Sequence, residues 1–238
     1  MTSTPEPRAL VFDVFGTVVD YRGTIIREGE QINREKGLQV NWAMFADAWR
    51  GRYRPNMQRV MKQELPWTNL DGLHCIALDE LLHEFSVTSL SEDEKVHLNK
   101  VWHRLTPWPD SVTGLTRLKQ RYTIGTLSNG NVGLLVDMAK YSDLPWDVIF
   151  SAELVHAYKP DPRTYQMTYT LLGLQPQQVM LVAAHKDDLQ AAQAQGLQAG
   201  FVPRRLEHGP DKPSDSTPDP AFEIVASDFN DLARQLGA

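Results

Sequence analysis

Residues 9–20, ALVFDVFGTVVD, decide how the rest of the chain reads. Ala9, Leu10, Val11 and Phe12 form an apolar run that stops at Asp13, with Gly16 and Thr17 close behind. A short run without polar interruption marks a strand buried on both faces, as in a parallel sheet covered by helices. Asp13 then stands at the carboxyl end of that strand, the edge of an open α/β sheet at which ligands bind. A carboxylate there costs desolvation energy unless donors surround it, and Gly16 and Thr17 offer backbone N–H groups and a hydroxyl. Capping the next turn is the plainer role for the same residue.

Beyond Asp20 the period changes from strand to helix. Ile25, Ile26, Gly29 and Ile32 recur at helical spacing, followed by Trp42, Phe45, Ala46, Trp49 and Tyr53. Leu73, Ile76, Ala77, Leu81 and Phe85 repeat the pattern, as do Val96, Val101, Trp102 and Leu105. Residues 21–106 therefore read as an all-helical insert, with Trp42, Trp49 and Trp102 in its core. Alternation of strand and helix resumes at Trp108-Pro109-Asp110, where proline and a capping acid open a helix. Strands are expected at 122–127, 148–151 and 179–184, with short edge strands at 201–202 and 224–225. Helices are expected at 132–139, 162–172, 188–195 and 227–236. This order predicts an α/β protein with a doubly wound parallel sheet, a Rossmann-like core of residues 1–20 and 107–238. The helical cap, residues 21–106, enters after the first strand, where it can exclude water from a site at that strand's end. Residues 203–220, PRRLEHGPDKPSDSTPDP, read as a long surface loop.

The 238 residues are 42% hydrophobic and 23% charged, with a formal net charge of -6. That is a globular composition with no basic surplus for nucleic acid. Nowhere do about 18 apolar residues run together, and the leading MTSTPEPR has no apolar signal core, which predicts a cytoplasmic protein with no membrane attachment. Cys75 is the one cysteine, so an intramolecular disulfide or a cysteine-rich metal site is excluded. Among Leu73, Ile76 and Leu78 it reads as a small buried hydrophobe.

Polar clusters fall at the predicted strand ends: Asp13 with Thr17, Ser128-Asn129, Lys159-Pro160-Asp161, and His185-Lys186-Asp187-Asp188. A doubly wound sheet sets those ends side by side. Lys159 stands at a helix start, where the dipole disfavours a cation, and so calls for an anionic partner. With FDVFGTVVD, LSNG, YKPD and VAAHKDDLQAA in this order, and helices after the first, the chain resembles the haloacid dehalogenase superfamily. Over nearly its full length it is similar to the type II 2-haloacid dehalogenases.

The resemblance implies roles. Asp13 would be the nucleophile, with Thr17, Ser128 and Asn129 orienting it and holding the substrate carboxylate or the leaving halide. Lys159 would neutralise and position Asp13, Tyr165 would stand near that lysine, and Asp188 would orient Lys159 or the hydrolytic water. The family's cap supplies an arginine to the halide; WRGRYRPNMQR offers Arg50, Arg52, Arg54 and Arg59, of which Arg59 is taken as the substrate-binding one. Magnesium-dependent phosphatases of the superfamily carry a second aspartate two residues after the nucleophile and a metal-binding acid four before the last aspartate of the fourth motif. Here those positions hold Phe15, which falls to substrate binding, and Ala184. An anionic phosphoryl group would face Asp13 uncompensated, whereas an alkyl halide carries no charge at its reacting carbon.

The reaction implied is hydrolysis of a short 2-haloacid to a 2-hydroxyacid and halide through an aspartyl ester, with no metal or organic cofactor. His185 stands where the better-known dehalogenases carry asparagine. As an imidazolium it is expected to be a charged donor to the departing halide, with a cap arginine as a second, extending the range to fluoroacetate; the rival account is a neutral His185 that shapes the pocket or orients water. A magnesium-dependent phosphatase, favoured by the adjacent Asp187 and Asp188, and a catalytically silent binding protein are the rival readings. Dimerisation is common among similar proteins, so a homodimer is one expected assembly, though no interface is legible.

Overall fold

A computed structural model describes residues 5–238. The first strand, β1 (Ala9–Phe12), is wholly buried. After the turn that holds Asp13 come β2 (Val19–Asp20), α1 (Tyr21–Lys36), α2 (Trp42–Met61), α3 (Leu70–Glu84) and α4 (Glu92–Asn99), then β3 (Thr106–Pro107). The short strands β2 and β3 pair antiparallel, Val19 opposite Pro107 and Asp20 opposite Thr106, and so tie the two ends of the helical segment together. Asp20 also accepts the Gly23 N–H at 2.8 Å and starts α1, while Asn41 and Asn69 cap α2 and α3 in the same way.

The remainder alternates: α5 (Ser111–Lys119), β4 (Thr123–Ser128), α6 (Val132–Tyr141), β5 (Val148–Ser151), α7 (Pro162–Leu172), β6 (Val179–Ala183), α8 (Lys186–Gln193), β7 (Gln198–Phe201), β8 (Ile224–Val225) and α9 (Phe229–Gln235). The six-stranded sheet has the order β5-β4-β1-β6-β7-β8 with every pair parallel. Side chains alternate along each strand, so β1 feeds two cores. Leu10 and Phe12 pack with α5, α6 and α9, whereas Ala9 and Val11 pack with α7 and α8. The first core runs on without a break into the helical segment, where Trp42, Trp49 and Trp102 are fully buried and the Trp49 and Trp102 rings meet edge to face at 5.4 Å. Among the described residues no helix is long and apolar enough to cross a membrane.

Three local expectations are corrected. Cys75 is exposed, because the buried stripe of α3 runs Leu70, Leu73, His74, Ala77, Leu78 and Leu81, and Cys75 lies one step past His74. Asp110 does not cap its own helix by its side chain; it accepts the Phe229 N–H at 2.8 Å and binds Arg204 through both carboxylate oxygens. The segment 203–220 is a loop and mostly exposed, yet Arg204 and Glu207 within it are buried.

Arg204 clamps that loop to the sheet. Its guanidinium donates to Asp110 at 2.7 and 2.8 Å and to the Thr17 carbonyl at 2.8 Å, and it lies 4.6 Å over the Phe229 ring. Removing one partner of a buried pair leaves the other charge without compensation. Arg204→Met is therefore expected to cost about 3 kcal/mol of unfolding free energy, read from the urea midpoint; a loss under about 1 kcal/mol, the size of an exposed ion pair, would show that the clamp is superficial.

Candidate active site

The sheet order reverses around β1, since the chain steps to β4 and β5 on one side and then to β6, β7 and β8 on the other. Such a switch point opens a crevice beyond the carboxyl ends of the strands. Asp13 follows β1, Asn129 follows β4, Lys159 lies between β5 and α7, and His185 stands between β6 and α8. A cavity of about 560 Å³ opens there, walled on the far side by α2.

Asp13 is held from two sides. Its Oδ2 accepts from the Thr17 hydroxyl at 2.8 Å and from His185 Nδ1 at 3.1 Å, and its Oδ1 accepts from Lys159 Nζ at 3.2 Å. The Thr17 oxygen in turn accepts the Ala184 N–H at 3.0 Å, which leaves its one proton for Asp13. Lys159 Nζ also donates to Asp188 Oδ2 at 2.6 Å, and the Tyr165 hydroxyl fills Asp188 Oδ1 at 2.7 Å. The Lys159 backbone N–H donates to Asn129 Oδ1 at 2.8 Å, fixing the loop that carries the lysine.

Burial by itself would raise the Asp13 carboxyl, but the Lys159 charge, then His185 and Thr17, hold it well below the usual carboxylate range. Burial also opposes the Lys159 ammonium, and Asp188 and Asp13 overcome it, raising that group above its ordinary value. Asp188 is pushed up by burial against the pull of Lys159, with the Asp13 charge adding to the upward push. Of the two carboxylates sharing one ammonium, Asp13 is shifted down and Asp188 up.

His185 has a partner that the sequence did not disclose. Its Nε2 lies 2.9 and 3.0 Å from the two oxygens of Glu207, which is 2% exposed in the loop after β7. Ionised carboxylates only accept, so a ring that bridges two of them carries both protons. Burial works against that charge, and hydrogen bonds to Asp13 and Glu207 outweigh it, raising His185 to about 10. Both N–H groups are thus committed, and the expected donation from His185 to a departing halide is corrected: the charge is present but is spent on Asp13 and Glu207. Gly16, at φ +86°, admits Glu207; a Cβ there would collide with Glu207 Oε1.

The arginine assignment changes too. Arg59 is exposed and does not line the cavity, whereas Arg50 and Arg54 do. Residues 50, 53, 54, 57, 58 and 61 form one helical stripe that faces the cavity, and Arg59 is turned about 100° away from Gln58. That stripe was the available signal. Arg50 lies over the rings of Tyr53 at 4.2 Å and Tyr21 at 4.9 Å, and its buried Nη1 has no hydrogen-bond partner among the described residues. Arg52 points outward to Glu80 and Glu84 on α3. Arg54 reaches Asp187 on α8 at 2.7 Å across the cavity mouth, with the two side chains 73% and 62% exposed.

Ser128 does not line the cavity. Its buried hydroxyl accepts the Gly130 N–H at 3.1 Å and shapes the turn, so the expected contact with substrate is corrected. Phe15 does line it, edge to face with Trp102 at 5.7 Å. A divalent cation does not fit these donors, because Lys159 already bridges Asp13 and Asp188 and Ala184 brings no side-chain oxygen. Among the described residues no group of three His, Cys, Asp or Glu side chains is arranged to hold a metal ion.

A sequence model of haloacid dehalogenase-like hydrolases matches residues 7–196. The chain belongs to this family. Among the haloacid dehalogenase-like hydrolases it is 30% identical over 197 residues to (S)-2-haloacid dehalogenase 4A of Burkholderia cepacia, covering 78% of each chain. Its fold is similar to that of the L-2-haloacid dehalogenase PA0810, with a TM-score of 0.93 and 43% identity over 97% of this chain and 99% of that one. The defluorinating L-2-haloacid dehalogenase Rha0230 also superposes with a TM-score of 0.93, at 46% identity over 98% of this chain and 96% of that one.

The His185 charge has a consequence for stability. With its pKa raised on folding from 6.5 to about 10, the group stabilises the folded chain fully below pH 6.5, and that contribution is lost as pH rises toward 10. The urea midpoint is expected to fall further between about pH 7 and pH 10 in the native chain than in His185→Asn; equal falls would mean that His185 is not an imidazolium in the fold.

Proposed function

We propose that this chain is a hydrolytic L-2-haloacid dehalogenase for short substrates of the haloacetate type, fluoroacetate included, working through an ester on Asp13. The observation that carries the reading is the unequal treatment of the two Asp13 oxygens. Oδ2 holds two donors, from Thr17 and His185, while Oδ1 has only Lys159 at 3.2 Å and keeps a lone pair for carbon. Oδ1 attacks the halogen-bearing carbon from the rear, the carbon–halogen bond breaks, and the halide leaves with its electron pair. A single displacement inverts the carbon. Water then adds to the Asp13 carbonyl carbon, and the Cγ–Oδ1 bond breaks, so that the product hydroxyl carries the old Oδ1. One water proton ends on that hydroxyl and the other goes to solvent.

Arg50 is a donor available to the halide, since its buried Nη1 has no hydrogen-bond partner among the described residues. A charged donor suits fluoride, a small and poor leaving group, and the relative Rha0230 is described as defluorinating. The helices α1 to α4 act as a cap that brings this arginine and excludes water. Phe15, where a phosphatase would hold its acid, lends the pocket an apolar wall.

The covalent step is tested by a single turnover in heavy-oxygen water with enzyme in excess. Label is expected in the peptide containing Asp13, and label confined to the hydroxyacid would refute the ester. Asp13→Asn should fold and release no halide. Excess chelator is expected to leave turnover unchanged; activity lost to chelator and restored by magnesium would favour the phosphatase. For the substrate, Arg50→Met should lower fluoride release from fluoroacetate at least about tenfold more than chloride release from chloroacetate. Equal losses, or no fluoride from the native enzyme, would remove fluoroacetate from the proposal.

A further inference from the structure

We propose that Glu207 is a positioning residue for the second step, keeping His185 doubly protonated while the Asp13 ester is hydrolysed. The inference rests on the ester mechanism above and extends it to a residue outside the family motifs. In the free enzyme two carboxylates touch the imidazolium, Asp13 at 3.1 Å and Glu207 at 2.9 Å. Once Oδ1 has bonded to carbon, Asp13 is a neutral ester, and half of that support is gone. Among the described residues Glu207 is then the one carboxylate left in contact with the ring.

The timing matters because of where charge next appears. Water attacks Cγ, the carbonyl electron pair moves to Oδ2, and the two groups that meet Oδ2 are the Thr17 hydroxyl and His185 Nδ1. A protonated Nδ1 is an oxyanion donor of the kind worth about a hundredfold or more in rate. A neutral ring held with its lone pair toward Oδ2 would repel the developing charge. The other charges around the ring do not replace Glu207: Lys159 and Arg50 are cations that oppose the imidazolium, and Lys186 of α8 is committed to Asp215. Asp187 is paired with Arg54, and His208, next to Glu207, meets the Tyr21 hydroxyl.

The loop is built to deliver this carboxylate. Arg204 anchors it to Asp110 and to the Thr17 carbonyl, the Glu207 N–H closes a turn onto the Arg204 carbonyl at 3.0 Å, and Gly16 leaves the space that Glu207 fills. One end of the anchor is therefore the backbone of Thr17, the other oxyanion donor.

The test compares Glu207→Gln with Glu207→Asp in the full-length enzyme. In Glu207→Gln the first halide should appear as a burst of one equivalent per site, with kcat reduced at least about tenfold at pH 8.5 and recovering progressively as pH falls, since the ring must regain its second proton against burial. Glu207→Asp should keep the native pH profile. A pH-independent loss of kcat in Glu207→Gln, or a slowed burst, would overturn the proposal and leave Glu207 a packing residue. Nitrogen chemical shifts of the His185 ring in substrate-free protein supply a reading independent of haloacid turnover. Both nitrogens should stay protonated through pH 8.5 in the native chain and titrate at lower pH in Glu207→Gln. If that holds while no haloacetate releases halide, the substrate assignment fails and the Glu207–His185 coupling stands; if the titrations coincide, the coupling fails.

Discussion

A carboxylate kept ionised in a place that water barely reaches needs charged and hydrogen-bonding partners, and the rest of the site follows from that constraint. Desolvation pushes the Asp13 proton on; Lys159, His185 and Thr17 keep it off. Each of these donors is itself buried and needs its own support, so the solution propagates outward. Lys159 is held by Asp188, which is held by Tyr165; His185 is held by Glu207. The chain of partners ends only where side chains reach the cores or the loop clamp at Arg204.

The sheet supplies the convergence and the helical segment supplies what the sheet cannot. Strand ends bring acids, a lysine and a histidine together, but a pocket made of them alone would be open to solvent. Helix α2 adds a wall in which Arg50 lies 4.2 and 4.9 Å from the Tyr53 and Tyr21 ring centroids, with its buried Nη1 unspent among the described residues. Behind it Trp102 stacks on His74 at 4.1 Å, and burial lowers His74 to about 3, so that His74 adds no charge of its own beside Arg50.

Legibility in the sequence tracked how strongly burial constrains residue type. Strand β1 was legible because both faces are covered and only apolar residues fit, and Asp13 stood out as the polar residue that ended it. The turns after β4, β5 and β6 were legible for the same reason. Strands β2 and β3 were not, since two residues carry no period. Arg50 and Arg59 look alike as letters, and only the stripe through Tyr53, Met57 and Met61 separates them. Glu207 lies among Arg205, His208, Asp211 and Lys212, where a carboxylate is unremarkable. Its burial is dictated by a cation 22 residues earlier in the chain, a long-range requirement with no local pattern.

The bridge between Arg54 and Asp187 ties the helical wall to the sheet side at the mouth of the cavity, and both partners stand largely in solvent. An ion pair so exposed is worth at most about 1 kcal/mol, a factor of about five in population. As a bolt it is weak by design of its surroundings: salt screens it, and an incoming anion can compete with Asp187 for the guanidinium. The mouth of the cavity is thus closed by a contact whose positive partner is itself a site at which a small anion can pause.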